Sequence, residues 1–286
     1  MKNFMIQSMM IISLFCYGSV SFAAEKTFCD TYNTNMTNMD AVDGKEAAYS
    51  GLPKVLTAQE YQKLPKKWDG YCPECTLKDK NMCKQVPCQE HNLMIGTVYQ
   101  GIQAQGDPWM KMASEEALKS VQNGGGPFGT VILQVDDTSG KVIRYWVNHN
   151  HVAEWSDPTA HAEVTTIRAA AKDLGVLDLG HINKKDAKLS QPGEWSHCVL
   201  YSSAESCPMC AAATYWAGIK YVAFAATRYD AAVKGVDFDD KMIYAEFARP
   251  YAKRQHMHVV HANTGNSLDA FNYYKRSNVA RYGDDS

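Results

Sequence analysis

Two short stretches, His161-Ala162-Glu163 and Cys207-Pro208-Met209-Cys210, decide how this chain is read. Asp157-Pro158-Thr159 reads as the opening of a helix that carries His161, Glu163, Ile167 and Ala170. Val199-Leu200-Tyr201-Ser202 reads as a strand feeding a second helix, which bears Cys207 and Cys210. One imidazole and two thiolates make a donor set that suits Zn²⁺, and a catalytic zinc keeps its fourth position for water. Helix starts suit such ligands, because free amides and the positive end of the dipole lower thiolate pKa values. Glu163 is not needed as a ligand. Two residues from the histidine, it is placed to take a proton from zinc-activated water and hand it to a leaving group. A Cys-x-x-Cys alone could equally be a redox pair, and a His-x-Glu alone says little. Their combination points to a catalytic zinc.

Working outward, Asp107 can cap a helix with Pro108 at its first position, and Met110, Ala113, Ala117, Leu118 and Val121 give that helix an apolar face. Gly124 to Gly129 breaks it. Thr130 to Val135 reads as a buried strand, Asp136 to Gly140 as a turn, Lys141 to Val147 as a second strand and Tyr221 to Ala225 as another. Strands alternating with helices imply an α/β fold with a mixed sheet covered on both faces.

The chain of 286 residues is 45% hydrophobic and 21% charged, ample for a core, with a formal charge of −2. A polynucleotide partner would favour a basic surface, so no nucleic acid polymer is expected. Residues 1–23 read as a signal peptide: Lys2, an apolar run from Met9 to Phe15, and Ser21-Phe22-Ala23 as the cleavage site. The run is too short and too interrupted to span a bilayer, so an exported protein, periplasmic or secreted, is expected, with no membrane contact after cleavage. Of nine cysteines, Cys29, Cys72, Cys75, Cys83, Cys88 and Cys198 are left once Cys16 and the two zinc ligands are set aside. An even remainder in an oxidising compartment favours disulfides; the rival is a second zinc on Cys72, Cys75, Cys83 and Cys88. Residues 24–100 then form a loop-rich, disulfide-stapled extension, and residues 101–286 the zinc-dependent domain.

His-x-Glu followed by paired cysteines is the motif of the zinc nucleobase deaminases, although the proline usual before the first cysteine is Ser206 here. From Gly125 to about Tyr282 the chain resembles the guanine deaminases of the cytidine deaminase fold. The resemblance rests on Gly125-Gly126-Pro127-Phe128-Gly129, Asn150, Asp157 to Glu163, Cys207 to Cys210, Tyr215-Trp216-Ala217, Phe238-Asp239-Asp240, Ile243-Tyr244 and Glu246. It implies a three-layer α-β-α sandwich and a Zn²⁺ cofactor on His161, Cys207 and Cys210. It further implies catalytic roles for Glu163 and Glu246, and a purine base or nucleoside held by Asn150, Asp240, Phe128 and Trp216. A homodimer is implied as well, with a C-terminal segment that can carry Tyr282 to the partner's site. Cytosine, adenine or guanosine as substrate, or a non-catalytic zinc module, are the alternatives. The chain departs from the family by Ala204-Glu205-Ser206 ahead of Cys207, by an insertion from Asn183 to Gly193 that could border the site, and by residues 1–100. His149 and His151 read as hydrogen-bonded loop histidines, and His256, His258 and His261 as one exposed face of a strand.

Overall fold

A strand with both faces covered reads as a near-continuous apolar run, and Gly129–Asp136 is buried at every position, its Gln134 hydrogen-bonded to Gln191 and Ser196. The structure, a computed structural model, describes residues 37–39, 52–61, 63, 99 and 101–278. In chain order the strands are β1 (Thr37–Met39), β2 (Gly129–Asp136), β3 (Val142–His149), β4 (Ile182–Asn183), β5 (Trp195–Ala204) and β6 (Tyr221–Ala226). The helices used below are α1 (Ala58–Tyr61), α2 (Pro108–Gln122), α3 (Val152–Trp155), α4 (Ala162–Leu174), α5 (Pro208–Trp216), α6 (Arg228–Ala231), α7 (Lys241–Ala248) and α8 (Asp269–Arg276). All of the described residues belong to one unit, Met36–Ser286.

β2 sits between β3 and β5, antiparallel to both, with Ile132 opposite Trp146 on one side and Leu200 on the other. β1 continues the sheet beyond β3. β5 carries β4, antiparallel, at its start and β6, parallel, along its later half. The sheet is therefore mixed, as the alternation of strands and helices predicts.

Side chains alternate across a strand, and the two resulting faces build two cores. Val131, Leu133 and Val135 meet Trp109, Met110 and Ala113 of α2. Ile132 and Leu200 meet Ile167, Ala170 and Leu174 of α4 on the other side. Each large side chain among them, fully buried, stabilises the fold by roughly 1.5–3 kcal/mol. Asp107 Oδ1 caps α2 by accepting from the Met110 amide at 2.9 Å, and its Oδ2 takes the Tyr201 hydroxyl at 2.8 Å, tying the helix start to β5. Gly129 is required where α2 crosses β2, since a Cβ there would run into the backbone of Ala113 and Ala117.

Four expectations change. α4 begins at Ala162 with His161 as its N-cap, because Asp157 spends its carboxylate on a turn, accepting from the Thr159 amide and hydroxyl at 2.8 and 2.7 Å. The insertion after Asn183 does not border the zinc motif. Its buried Gln191 accepts from Gln134 and Ser196 near the start of β5, whereas Cys207 follows that strand's far end. His256, His258 and His261 lie in exposed chain that pairs with no strand among the described residues. Cys198 is a free thiol, wholly buried in the core under α4, so it leaves the disulfide set, and burial pushes its thiol well above the usual range. Cys29, Cys72, Cys75, Cys83 and Cys88, like the segment 1–23, lie outside the described residues. Among the described residues no helix is long and apolar enough to cross a membrane.

Candidate metal centre and active site

His161 and Cys207 occupy the same structural position, the extended residue just before a helix, and neither side chain is spent on capping. Pro208, whose fixed φ suits the first helical turn, starts α5 directly after Cys207 and brings Cys210 one turn along. His161 Nδ1 lies 3.6 Å from Cys207 Sγ and 3.5 Å from Cys210 Sγ. Zn–S bonds of ~2.3 Å and a Zn–N bond of ~2.0–2.1 Å at a tetrahedral angle put sulfur and nitrogen about 3.6 Å apart. Both nitrogen–sulfur distances are thus those zinc requires, and all three donor atoms lie within 4.8 Å of one another.

Electrostatics agree. The Cys210 thiol and His161 pull the Cys207 thiol down to about 4 against its burial, while Cys210 is pushed up by the sulfur beside it. His161 is raised in turn, chiefly by Cys207. Two thiolates this close need a cation between them, and a divalent metal meets that need.

Glu163, in the first turn of α4, is only 5% exposed and accepts from Ser202 Oγ at 3.3 Å. Burial pushes its carboxyl up, while the Cys210 thiol and Ser206 favour the charged form. The acid is therefore fixed beside the metal ligands and shielded from bulk water. It is not a ligand of the three-donor group.

The loop around Asn150 forms a second wall. The Asn150 amide donates to Phe128 O at 3.0 Å, and its Oδ1 accepts from the Val152 amide at 3.2 Å. A Cβ at Gly126 would stand 3.2 Å from the Asn150 carboxamide, so glycine there leaves that group room. Phe128 meets Phe238 edge to face at 4.9 Å. Two residues on, half-buried Asp240 precedes α7 with no capping bond; burial and then Cys207 push its carboxyl up, opposed by His161. The Phe238 to Asp240 loop therefore lies within electrostatic reach of the metal ligands. A cavity of about 270 Å³ is lined by Phe128, Ser203 and Ala226 and by none of the zinc ligands.

Two further expected site residues are Trp216 and Glu246. Trp216, at the end of α5, is 59% exposed with its ring edge-on to Tyr215, and Phe128 has Phe238 as its ring partner. Glu246 is buried with both carboxylate oxygens taken. Arg249 Nη1 donates at 2.6 Å, the Gln255 amide at 3.0 Å and the His256 amide at 3.1 Å. In this structure it clips the chain at Gln255 and His256 onto α7. Burial raises its pKa, but those amides and Arg249 outweigh it and hold the carboxyl at about 2, against an ordinary 4.5. Glu116 is likewise held at about 2, by His149 and then, against burial, by Lys119. A depressed folded-state pKa contributes stability above the unfolded value and loses it as pH falls. Thermal unfolding followed from pH 6 downward should therefore show stability draining away between about 4.5 and 2. Glu246→Gln should flatten that slope, and an unchanged slope would refute the assignment.

Residues 104–226 match the cytidine and deoxycytidylate deaminase zinc-binding region. The guanine deaminase of Bacillus subtilis is 41% identical over 149 residues, 52% of this chain and 80% of that protein. The chain belongs to the zinc-dependent deaminase family. The X-ray structure of guanine deaminase from Bacillus subtilis resembles this one with a TM-score of 0.50 at 37% identity, over 62% of this chain and 99% of that one. A tRNA-specific adenosine deaminase of Aquifex aeolicus is 30% identical over 118 residues, 41% of this chain and 64% of that protein.

Three supports of the site emerge in this deaminase, of which the sequence announces only His151, as a hydrogen-bonded loop histidine. Phe238 reads from sequence only as part of a motif, yet it pairs with Phe128. His151 is fully buried, stacked on Trp155 at 4.0 Å, with Nδ1 2.5 Å from Glu154 and Nε2 2.6 Å from Asn148 Oδ1. It steadies the loop that presents Asn150. His149, His151 and Glu154 also have donor atoms close together. The two imidazoles, however, are tilted by 32° at 4.3 Å, and each Nδ1 is already paired with a carboxylate, Glu116 for His149 and Glu154 for His151. The third support is Glu205, two residues before Cys207 and hydrogen-bonded to Tyr99 and to the start of α6.

Proposed function

We propose that this zinc deaminase hydrolyses guanine to xanthine and ammonia. The observation that carries the reading is Asp240, an acid within electrostatic reach of the ligand group, beside the Phe128–Phe238 aromatic pair. The 41% identity to the Bacillus subtilis guanine deaminase supports it. A planar base lies naturally against Phe128, since aromatic faces stack on bases. Guanine presents N–H donors at N1 and its 2-amino group together with a carbonyl acceptor. Asp240 accepts from the donors, and the Asn150 carboxamide serves either kind of group.

When bound by His161, Cys207 and Cys210, zinc supplies Lewis-acid activation of water near neutral pH. Glu163 takes the proton of the attacking water, delivers it to a ring nitrogen, and assists departure of the amino group from C2 as ammonia. The helix termini behind His161 and Cys207 place amide dipoles where negative charge gathers.

Asp240→Asn tests the specificity. A hydrogen bond to a charged group is worth about 1.5–3 kcal/mol, so kcat/KM for guanine should fall roughly 10- to 100-fold with zinc content unchanged. The substrate panel is guanine, guanosine, adenine, adenosine, cytosine and cytidine, read by ammonia release. Adenosine or cytosine leading that set would reject guanine while leaving the zinc deaminase intact.

The proposal extends to export through the segment 1–23, to disulfides among Cys72, Cys75, Cys83 and Cys88, and to a homodimer. The exposed Trp216, Phe247, Phe271 and Tyr273 support the dimer, because apolar surface of that kind favours a second copy. Light scattering on the mature chain measures it.

A further inference from the structure

The catalytic loop between β5 and α5 is gripped from outside the family-matched region. Tyr99 lies upstream of residues 104–226, yet it is only 6% exposed. Its hydroxyl donates to Glu205 Oε2 at 2.6 Å. Its ring meets Phe224 of β6 and Tyr229 of α6 edge-on, at 5.9 and 6.5 Å. The same Glu205 oxygen accepts from the Arg228 amide at 2.9 Å, and the Glu205 amide donates to Ala226 O at 2.7 Å. Residue 205 is thus tied at its main chain to the end of β6 and at its side chain to Tyr99 and the start of α6. Cys207 follows two residues later. The upstream chain is itself fastened near this point, with Val55 bridged to Ala104 and the Leu56 amide on Gln103 O at 2.8 Å.

Something must stiffen this loop. The motif usually has proline just before the first cysteine, where the ring locks φ and removes conformational freedom. Ser206 stands there instead, so the chain itself does not restrain the approach to Cys207. A short, part-buried hydrogen bond to a carboxylate, from a tyrosine whose ring is held by two others, supplies an equivalent restraint from outside the loop.

We propose that Tyr99 is a positioning residue for the metal centre: through Glu205 it holds the Glu205-Ser206-Cys207 turn so that Cys207 Sγ stays in register with His161 and Cys210. Chain upstream of the family-matched region thereby acts on zinc retention. The inference rests on zinc at these three ligands and is independent of which base is deaminated. Partners that hold metal ligands in place typically matter 10- to 100-fold in metal affinity.

The test uses the full mature chain loaded with zinc, with the metal's release to a chromophoric chelator as readout. Tyr99→Phe keeps both ring contacts and removes only the hydroxyl, so the melting temperature should stay within a few degrees of wild type while zinc release quickens about tenfold or more. Glu205→Gln keeps an acceptor for the hydroxyl and should recover most of the wild-type rate. Glu205→Ala also loses the Arg228 amide bond and should release zinc at least as fast as Tyr99→Phe, and the double variant should be no faster than Glu205→Ala alone, because the Tyr99 contact is already gone there. Wild-type zinc release in Tyr99→Phe, or multiplying effects in the double variant, would overturn the proposal. Neither result touches the guanine reading, which is judged by the substrate panel.

Discussion

Glu163→Gln should keep its zinc and its affinity for the base and lose nearly all turnover. A positioned acid–base group is typically worth ~10²–10⁴-fold, and a carboxylate that serves more than one proton transfer belongs at the upper end. The structure gives the reason that nothing replaces it. Among nearby acids, Asp240 is assigned to the base edge, Glu205 is bound to Tyr99 and Arg228, and Glu246 has both oxygens occupied. Glutamine keeps the shape and can still take the Ser202 hydroxyl bond, so the local packing survives the change. The measurement is kcat for ammonia release beside zinc stoichiometry and an equilibrium binding constant for guanine. A variant within about tenfold of wild type would sink the mechanism, and lost zinc would recast Glu163 as a structural support.

How much of this is legible in the sequence depends on the range of the interactions concerned. Asp107-Pro108 marks the start of α2, and the apolar runs at Thr130 to Val135 and Tyr221 to Ala225 mark strands, because caps and alternation are local signals. The zinc donors are readable because coordination chemistry narrows the residue types so sharply. The bonding of Glu246 is not readable. Its sequence neighbourhood suits a family motif, but its partners are the amides of Gln255 and His256, nine and ten residues on and decided by the path of the backbone after Pro250. The Phe128–Phe238 pair is hidden for a similar reason: several aromatic residues stand in matched motifs, and only the fold decides which ring reaches Phe128. The His256 to His261 alternation has a strand's period, yet no neighbouring strand exists there among the described residues, and period alone does not provide one. Tyr99 has no motif to announce it at all.

Cys207→Ala is expected to abolish both metal and activity while leaving the sheet and its helices in place. Structural zinc in small sites contributes of order 10–16 kcal/mol of apparent binding energy, and removing one thiolate leaves only His161 and Cys210, which cannot close a tetrahedral site. The fold should survive because both cores are built from β2, β5, α2 and α4, none of which depends on the ion for its burial. Circular dichroism should thus stay close to wild type while zinc per chain falls from about one to near zero. Cys198→Ala is the control. That thiol is buried beneath α4, away from the donor group, so it should lower the melting temperature slightly and leave zinc unchanged. The same stoichiometry decides what the upstream cysteines do. About one zinc per wild-type chain leaves Cys72, Cys75, Cys83 and Cys88 free to pair as disulfides. About two, with one retained in Cys207→Ala, means those four hold a metal of their own.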